Sequence, residues 1–352
     1  MAVYAVWNNK GGVGKSYLTF QIASEYARLH PEKKVLVVDL CPQANSSSML
    51  LGGMVNGEAA LNGIHLQVPR LTISGYIEAR IFSPYVNPLS GAGFVTLVQR
   101  HNYAIPRNLF LVVGDEQLEV QSSRVTAATF PGPQDAWRIV HTWISDLIND
   151  IANSWNQAEY TVFIDCNPSF SIYTELALSA ADRLIVPFSA DGSSKRAVRA
   201  VLSLLFGVRR QPGQQQSEFF LNSERFRMSL PEIYMYIGNR LTQMSSTSAT
   251  AFKTVVNEIG DEIYAVWLTN AGLFCIHPNG SPMPVNKRAF KAMFQYEVND
   301  ANTASVVSGT CGIPISELRS GSKNVLGKDV MVNQSQLDKQ VPNLRALVNV
   351  IE

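Results

Sequence analysis

Two kinds of hydrophobic pattern take turns along the chain. Short apolar runs occupy residues 3–8, 34–39, 108–113, 160–165, 184–187, 233–239 and 263–268. Runs of this length between glycine, proline or charged residues read as strands buried on both faces of a sheet. Between them, apolar positions recur every three or four residues at 15–30, 72–82, 136–155, 174–181, 249–259 and 337–351, which predicts helices. The strongest is 136–155, where Trp137, Val140, Ile144, Leu147, Ile148 and Ile151 share one face. Strands alternating with helices predict an α/β fold, a mostly parallel doubly wound sheet with helices on both faces. Residues 52–133 and 211–231 lack clear periodicity and read as insertions into a single domain spanning 1–352. Within the first, 85–103 reads as a surface element, either a lid or a partner contact, and Pro131-Gly132-Pro133 closes the region.

The turn after the first strand carries chemistry. Asn9-Lys10-Gly11-Gly12-Val13-Gly14-Lys15-Ser16 joins that strand to the first helix. Gly11, Gly12 and Gly14 can take backbone angles closed to other residues and turn successive N–H groups toward one anion. The helix behind them aims its unpaired amides and positive dipole end at the same anion. Lys15 then reaches β- and γ-phosphate oxygens and Ser16 ligates Mg²⁺, so the loop is predicted to hold a nucleoside triphosphate, with Val13 and Tyr17 completing its contacts. Asn9 stands where the general phosphate-loop pattern has its first glycine, and Lys10 follows it. The second strand ends in Asp39 and the run 160–165 in Asp165, both at the carboxyl edge of a parallel sheet, where ligands bind. Asp165 is predicted to hold Mg²⁺ through its water shell, in company with Ser16 and Asp39.

Lys10-Gly-Gly-Val-Gly-Lys15-Ser16 resembles the deviant Walker A motif of the ParA/MinD family of P-loop ATPases. Residues 39–45 resemble the family's second nucleotide motif, Asp-x-Asp-Pro-Gln-Gly-Asn, and Cys166-Asn167-Pro168-Ser169 resembles its Pro-Pro-Ser turn. The strand ending at Pro187, the strand ending at Asn239 and residues 303–315, similar to an Ala-x-x-x-Gly-Lys-Pro-Ile segment, follow in the family's order. The resemblance implies a nucleotide-sandwich homodimer in which Lys10 reaches the partner's ATP. It implies adenine contacts from Asn239 and Arg240, a nucleotide contact near Pro314, and hydrolysis that involves Lys10, Lys15, Asp39 and the residue at 41. That residue departs from the pattern, because Cys41 replaces the aspartate that positions or activates water. A thiol is a weak acceptor and a poor stand-in for a carboxylate, and loss of a positioned base costs about 10² to 10⁴ in rate. ATP binding and dimerisation are expected to survive while hydrolysis is slow or uses another group. The alternative is that Cys41 is simply a small buried residue and another side chain holds the water.

Composition narrows the partners. Hydrophobic content of 46% and charged content of 16% describe an ordered globular chain, and a net charge of +1 confines any nucleic-acid surface to a local patch. One candidate is the stretch from Lys195 to Arg210, which carries Lys195, Arg196, Arg199, Arg209 and Arg210 without an acidic residue. It reads either as a grip on DNA phosphates or as a solvated helix face. Cys41, Cys166, Cys275 and Cys311 form no Cys-x-x-Cys pair, which argues against zinc, a disulfide framework or a shared iron-sulfur cluster. Neither a signal-peptide pattern nor an apolar run of membrane-spanning length is present, so the expected location is cytoplasmic, or nucleoid-associated if the chain grips DNA. With the loop at residue 9, no helix-turn-helix is expected ahead of it, and 337–351, with Pro342 inside, is a poor match to MinD's membrane-targeting helix. The expectation is a ParA-like switch in plasmid or chromosome partition that binds DNA nonspecifically with ATP and answers to a ParB-like or other stimulating partner. The alternatives are a MinD-like or polar-localisation scaffold that recruits a protein with hydrolysis weak or lost, and a metabolic relative such as an ATP-dependent ligase or reductase.

Overall fold

A computed structural model describes residues 2–130, 132–189, 191–209, 211–241, 246–299 and 302–352. Pro131, Arg210 and the side chain of Arg240 lie outside the described residues. The strands are β1 Ala2–Val6, β2 Lys34–Leu40, β3 Val95–Leu97, β4 Leu109–Val112, β5 Tyr160–Cys166, β6 Arg183–Phe188, β7 Glu232–Leu241, β8 Gln295–Asn299, β9 Gly321–Val325 and β10 Lys328–Val332. The helices are α1 Lys15–Leu29, α2 Asn45–Leu51, α3 Gly53–His65, α4 Ile73–Phe82, α5 Leu118–Ala128, α6 Ala136–His141 and α7 Trp143–Ser154. After them come α8 Ile172–Ala180, α9 Ser194–Phe206, α10 Glu218–Phe226, α11 Ser246–Thr269, α12 Lys287–Phe294, α13 Thr303–Cys311 and α14 Gln334–Val348.

Eight strands form one sheet in the order β3-β4-β2-β5-β1-β6-β7-β8, parallel throughout except for β3 at the edge, and β9 and β10 form a separate hairpin. The unbroken apolar runs serve this arrangement because successive side chains point to opposite faces and both faces are covered. On β1, Tyr4 and Val6 pack with α1, α2, α3, α13 and α14, while Ala5 packs into the opposite core built on α4 to α12. On β2, Val35 and Val37 face the first core and Leu36, Val38 and Leu40 the second. All central strands exit at one edge, and the β2–β5 register sets Asp39 directly beside Asp165.

Several expectations need correction. The run 263–268 is not a strand but the last turns of α11. Ile263 and Trp267, four apart, are buried in an aromatic cluster with Phe274, Phe290 and Phe294, whereas Leu268 is 65% exposed. A six-residue apolar run fits either period, and here the helical one wins. The helix expected over 136–155 breaks at Thr142, whose hydroxyl bonds back to the Ile139 carbonyl at 2.8 Å, a competition with the helix ladder that serine and threonine offer. Residues 52–133 hold more structure than their composition advertises, namely α3, α4, β3, β4 and α5. The stretch 85–103 supplies edge strand β3 and buries Phe94 and Val98. In 211–231, α10 packs Phe219 and Phe226 against Trp137. The helix assignment for α11 has a direct test in urea unfolding. Ile263→Ala should cost about 2–4 kcal/mol and Leu268→Ala less than about 0.5 kcal/mol; equal losses would contradict a helix with that face buried.

Candidate nucleotide-binding site

The loop between β1 and α1 is a cradle. Gly12 and Gly14 take φ of 76° and 82°, the left-handed region in which a side chain is strained. A Cβ built on Gly11 or Gly12 meets no atom within 4 Å, so the space above the loop is open. Lys15, 6% exposed, folds over the loop and donates to the carbonyls of Lys10 at 2.7 Å and Asn8 at 3.2 Å. Burial lowers its pKa, against the pull of Asp165, Cys166 and Cys41. Asn239, at the carboxyl end of β7, braces the loop from behind by donating to the Val13 carbonyl at 2.8 Å. Asn8 in turn donates to the Pro187 carbonyl at 2.7 Å, tying the loop to β6.

Two carboxylates lie beneath it with no exposure to solvent. Asp39 is well supplied with donors: the Cys41 amide at 3.1 Å, the Ser47 amide at 3.0 Å and the Ser47 hydroxyl at 2.7 Å. Asp165 has no such bonds to either oxygen among the described residues. Burial and the neighbouring Asp39 push its carboxyl up to about 7, and the hydroxyls of Ser16 and Ser46 with Lys15 counter only part of this. Asp39 is also raised, chiefly by burial. Two buried acids side by side, one unsatisfied, form a place for a cation.

Beside them opens a cavity of about 500 Å³ lined by Gly12, Gly14, Lys15 and Ser16 of the loop and by residues of α2, α3 and α13. Cys41 and Cys166 both line it. Burial, then Asp39 and Asp165, push the Cys41 thiol up to about 12, so it stays protonated at neutral pH. Tyr17 lies in the wall beside Met49 and Gly309. Pro314 does not line the cavity; Ser305, Val306, Gly309 and Thr310, one element earlier, do. Gln21 holds α13 and its following turn to α1, donating to the Ser308 hydroxyl at 2.7 Å and accepting from the Ile315 amide at 2.9 Å. Sequence reasoning missed Met54 and Glu58 of α3, and only their place in the fold brings them to the wall.

Lys10 sits apart from the cavity. Its ammonium pairs with Asp191 and donates to the hydroxyls of Ser189 at 3.1 Å and Ser194 at 3.3 Å, at the start of α9. Further along α9, Lys195 reaches Glu258 at 3.1 Å and Arg199 forms a forked pair with Glu262, both on α11. Arg196 is exposed, and Arg209 donates to Gln216 at 2.7 Å.

A family profile described as an AAA domain matches residues 1–216, which take in the loop and both carboxylates. The chain belongs to the ParA/MinD family of P-loop ATPases. No curated protein sequence matches this ParA/MinD-type chain significantly. Among solved structures, McdA from Cyanothece without nucleotide superposes with a TM-score of 0.54 at 16% identity, covering 90% of this chain and 92% of that one. The ATP complex of a single-substitution variant of the same protein gives 0.56 at 16% identity, covering 100% and 98%. At such identities the likeness speaks for the fold.

ATP with Mg²⁺ is the family's cofactor, and the residues of this ParA/MinD-type ATPase fit both. The open glycine cradle suits a phosphate, while unsatisfied Asp165, Asp39 and the Ser16 hydroxyl form a hard oxygen donor set suited to Mg²⁺ and its waters. Bound there, Mg²⁺ would neutralise phosphate charge. Two variants test the arrangement. Gly12→Ala should leave stability within about 1–2 kcal/mol but abolish ATP binding by calorimetry, because the new methyl fills the cradle. Asp165→Asn should raise the melting temperature without nucleotide at pH 8 by roughly 2–5 °C, since an ionised buried acid is removed, and erase the further stabilisation by Mg·ATP. A variant no more stable than the parent would contradict the charge burden assigned to Asp165.

Proposed function

We propose that this chain is an ATP-gated dimerising switch of the ParA type, in which Mg·ATP binds the cradle and two protomers close around two nucleotides. The observation that carries this reading is Lys10. It stands directly before the phosphate loop at the ligand edge, and its cis partners Asp191, Ser189 and Ser194 are replaceable. The Lys10 and Asp191 side chains are 22% and 48% exposed, so their pair is worth only about 0–1 kcal/mol. Multiply charged phosphates of a partner's ATP offer more. Dimerisation is thus an exchange of one weak anion for a stronger one, and Asp191 acts as a holder for Lys10 until ATP arrives.

Hydrolysis is slow in this reading. Asp39 is committed to the Ser47 and Cys41 donors and to the cation, and the Cys41 thiol keeps its proton, so neither accepts one readily from an attacking water. The ATP state therefore persists, which suits a positioning or partition role in the cytoplasm with a partner that ends the cycle. For DNA, exposed Arg196 and Arg209, which have no ion pair among the described residues, supply the charge, with Arg210 outside the described residues. The pairing of Lys195 and Arg199 with α11 favours a second reading, a scaffold that recruits a protein rather than DNA.

Light scattering with Mg·ATP should give a dimer for the parent and a monomer for Lys10→Ala, with Asp191→Asn dimerising at lower ATP. Persistent dimers in Lys10→Ala would remove the bridging role. Cys41→Asp should raise steady-state turnover by about 10²-fold or more; brisk turnover in the parent, unchanged in this variant, would contradict the slow-switch reading. Co-sedimentation with DNA at low salt under ATP and ADP separates the two readings, and absence of ATP-dependent binding would leave the scaffold.

A further inference from the structure

The α3 wall of the cavity carries a carboxylate that phosphate chemistry does not explain. Glu58, on α3, lines the same cavity as Lys15 and Ser16, and one of its oxygens accepts from the Ser48 hydroxyl at 2.6 Å. No described residue bonds its second oxygen. Its position is built. A Cβ on Gly57 would fall 2.1 Å from the Ser48 carbonyl, and one on Gly53 would fall 2.1 Å from the Thr310 carbonyl. Position 58 is therefore pressed against α2 while the start of α3 is pressed against α13, with backbone contact that only glycine permits.

We propose that Glu58 recognises the ribose of the bound nucleotide, accepting hydrogen bonds from its 2′- and 3′-hydroxyls. This rests on the cavity being the nucleotide site. An anion beside the triphosphate would repel it, so a carboxylate in this cavity belongs at the nucleoside end, where the ligand presents neutral donors. An ionised carboxylate accepts only, through two oxygens, and a vicinal diol offers two donors at matching separation, whereas the adenine amine offers a single group. The surrounding Met49, Met54, Tyr17 and Val306 give the apolar walls that a base and sugar require. Ser48 is a positioning residue, since it holds one oxygen in place.

The test is calorimetric binding of ATP, 2′-deoxy-ATP and 3′-deoxy-ATP with Mg²⁺ to the parent, to Glu58→Ala and to Ser48→Ala. The parent should prefer ATP by roughly tenfold over either deoxy form. Glu58→Ala should erase this preference and bring all three nucleotides to one common affinity below that of either deoxy form for the parent, and Ser48→Ala should move the same way by less. Glu58 is exposed, so its truncation leaves the core untouched, which thermal melting without nucleotide verifies. A parent that binds all three alike, a Glu58→Ala variant that keeps the preference, or a variant that changes ATP against GTP instead would each overturn the diol contact. Deoxy-ATP binding to the parent keeps the nucleotide site standing in those cases, whereas a parent that binds none of the three removes both.

Discussion

The structure turns on two buried acids held side by side. Asp39 and Asp165 are register partners on adjacent parallel strands, neither exposed to water. Nothing about packing calls for this pair, since two carboxylates at such a separation raise each other's pKa and cost stability whenever both ionise. The arrangement makes sense only with a cation between protein and phosphate, and it sets the rest of the geometry. The glycine cradle must lie over the same edge, so β1 runs between β5 and β6. Ser47 must lie close enough to give its amide and hydroxyl to Asp39, so α2 starts at Asn45, a short turn after β2 ends at Leu40. The cavity walls then follow from where α2 goes.

Much of this was legible in the sequence because buried parallel strands and the phosphate loop both obey local rules. Unbroken apolar runs announced β1, β2, β4, β5, β6 and β7, and the turn residues at their ends marked the ligand edge. What escaped notice depends on contacts distant in sequence. The run 263–268 was ambiguous by itself, and only the aromatic cluster around Phe290 and Phe294 makes it helical. Helix α3 contains glycine and asparagine, poor helix formers, and owes its place to packing on Ser48 and Thr310. The basic look of α9 was a property of one helix taken alone; its acidic complement lies some sixty residues away on α11.

Cys41 shows how a departure from a motif acquires meaning from its surroundings. In water its thiol would be partly ionised near its ordinary pKa, and the substitution would look mild. At 4% exposure it is held protonated instead, first by burial and then by the charges of Asp39 and Asp165. In the proposed function the site would thereby keep its cation ligands without a base at position 41, which would separate holding a nucleotide from cleaving it.

That separation gives the Lys10 contacts their significance. In the proposed switch Lys10 reaches a second protomer only when ATP is present, so it needs somewhere to wait, and a fully solvated side chain would be free to pair with any anion. Asp191 supplies a waiting place of low worth: against partial burial, Lys10 first and then Ser189 and Ser193 hold its carboxyl below the ordinary range, and the amides and hydroxyls of Ser193 and Ser194 go on donating to it when the lysine leaves. Because Asp191 remains well satisfied without Lys10, releasing the lysine leaves no unpaired buried charge behind. In the proposed switch the cost of exchange is thus confined to one partly exposed ion pair, and slow cleavage would keep the exchanged state in place long enough for a partner to find it.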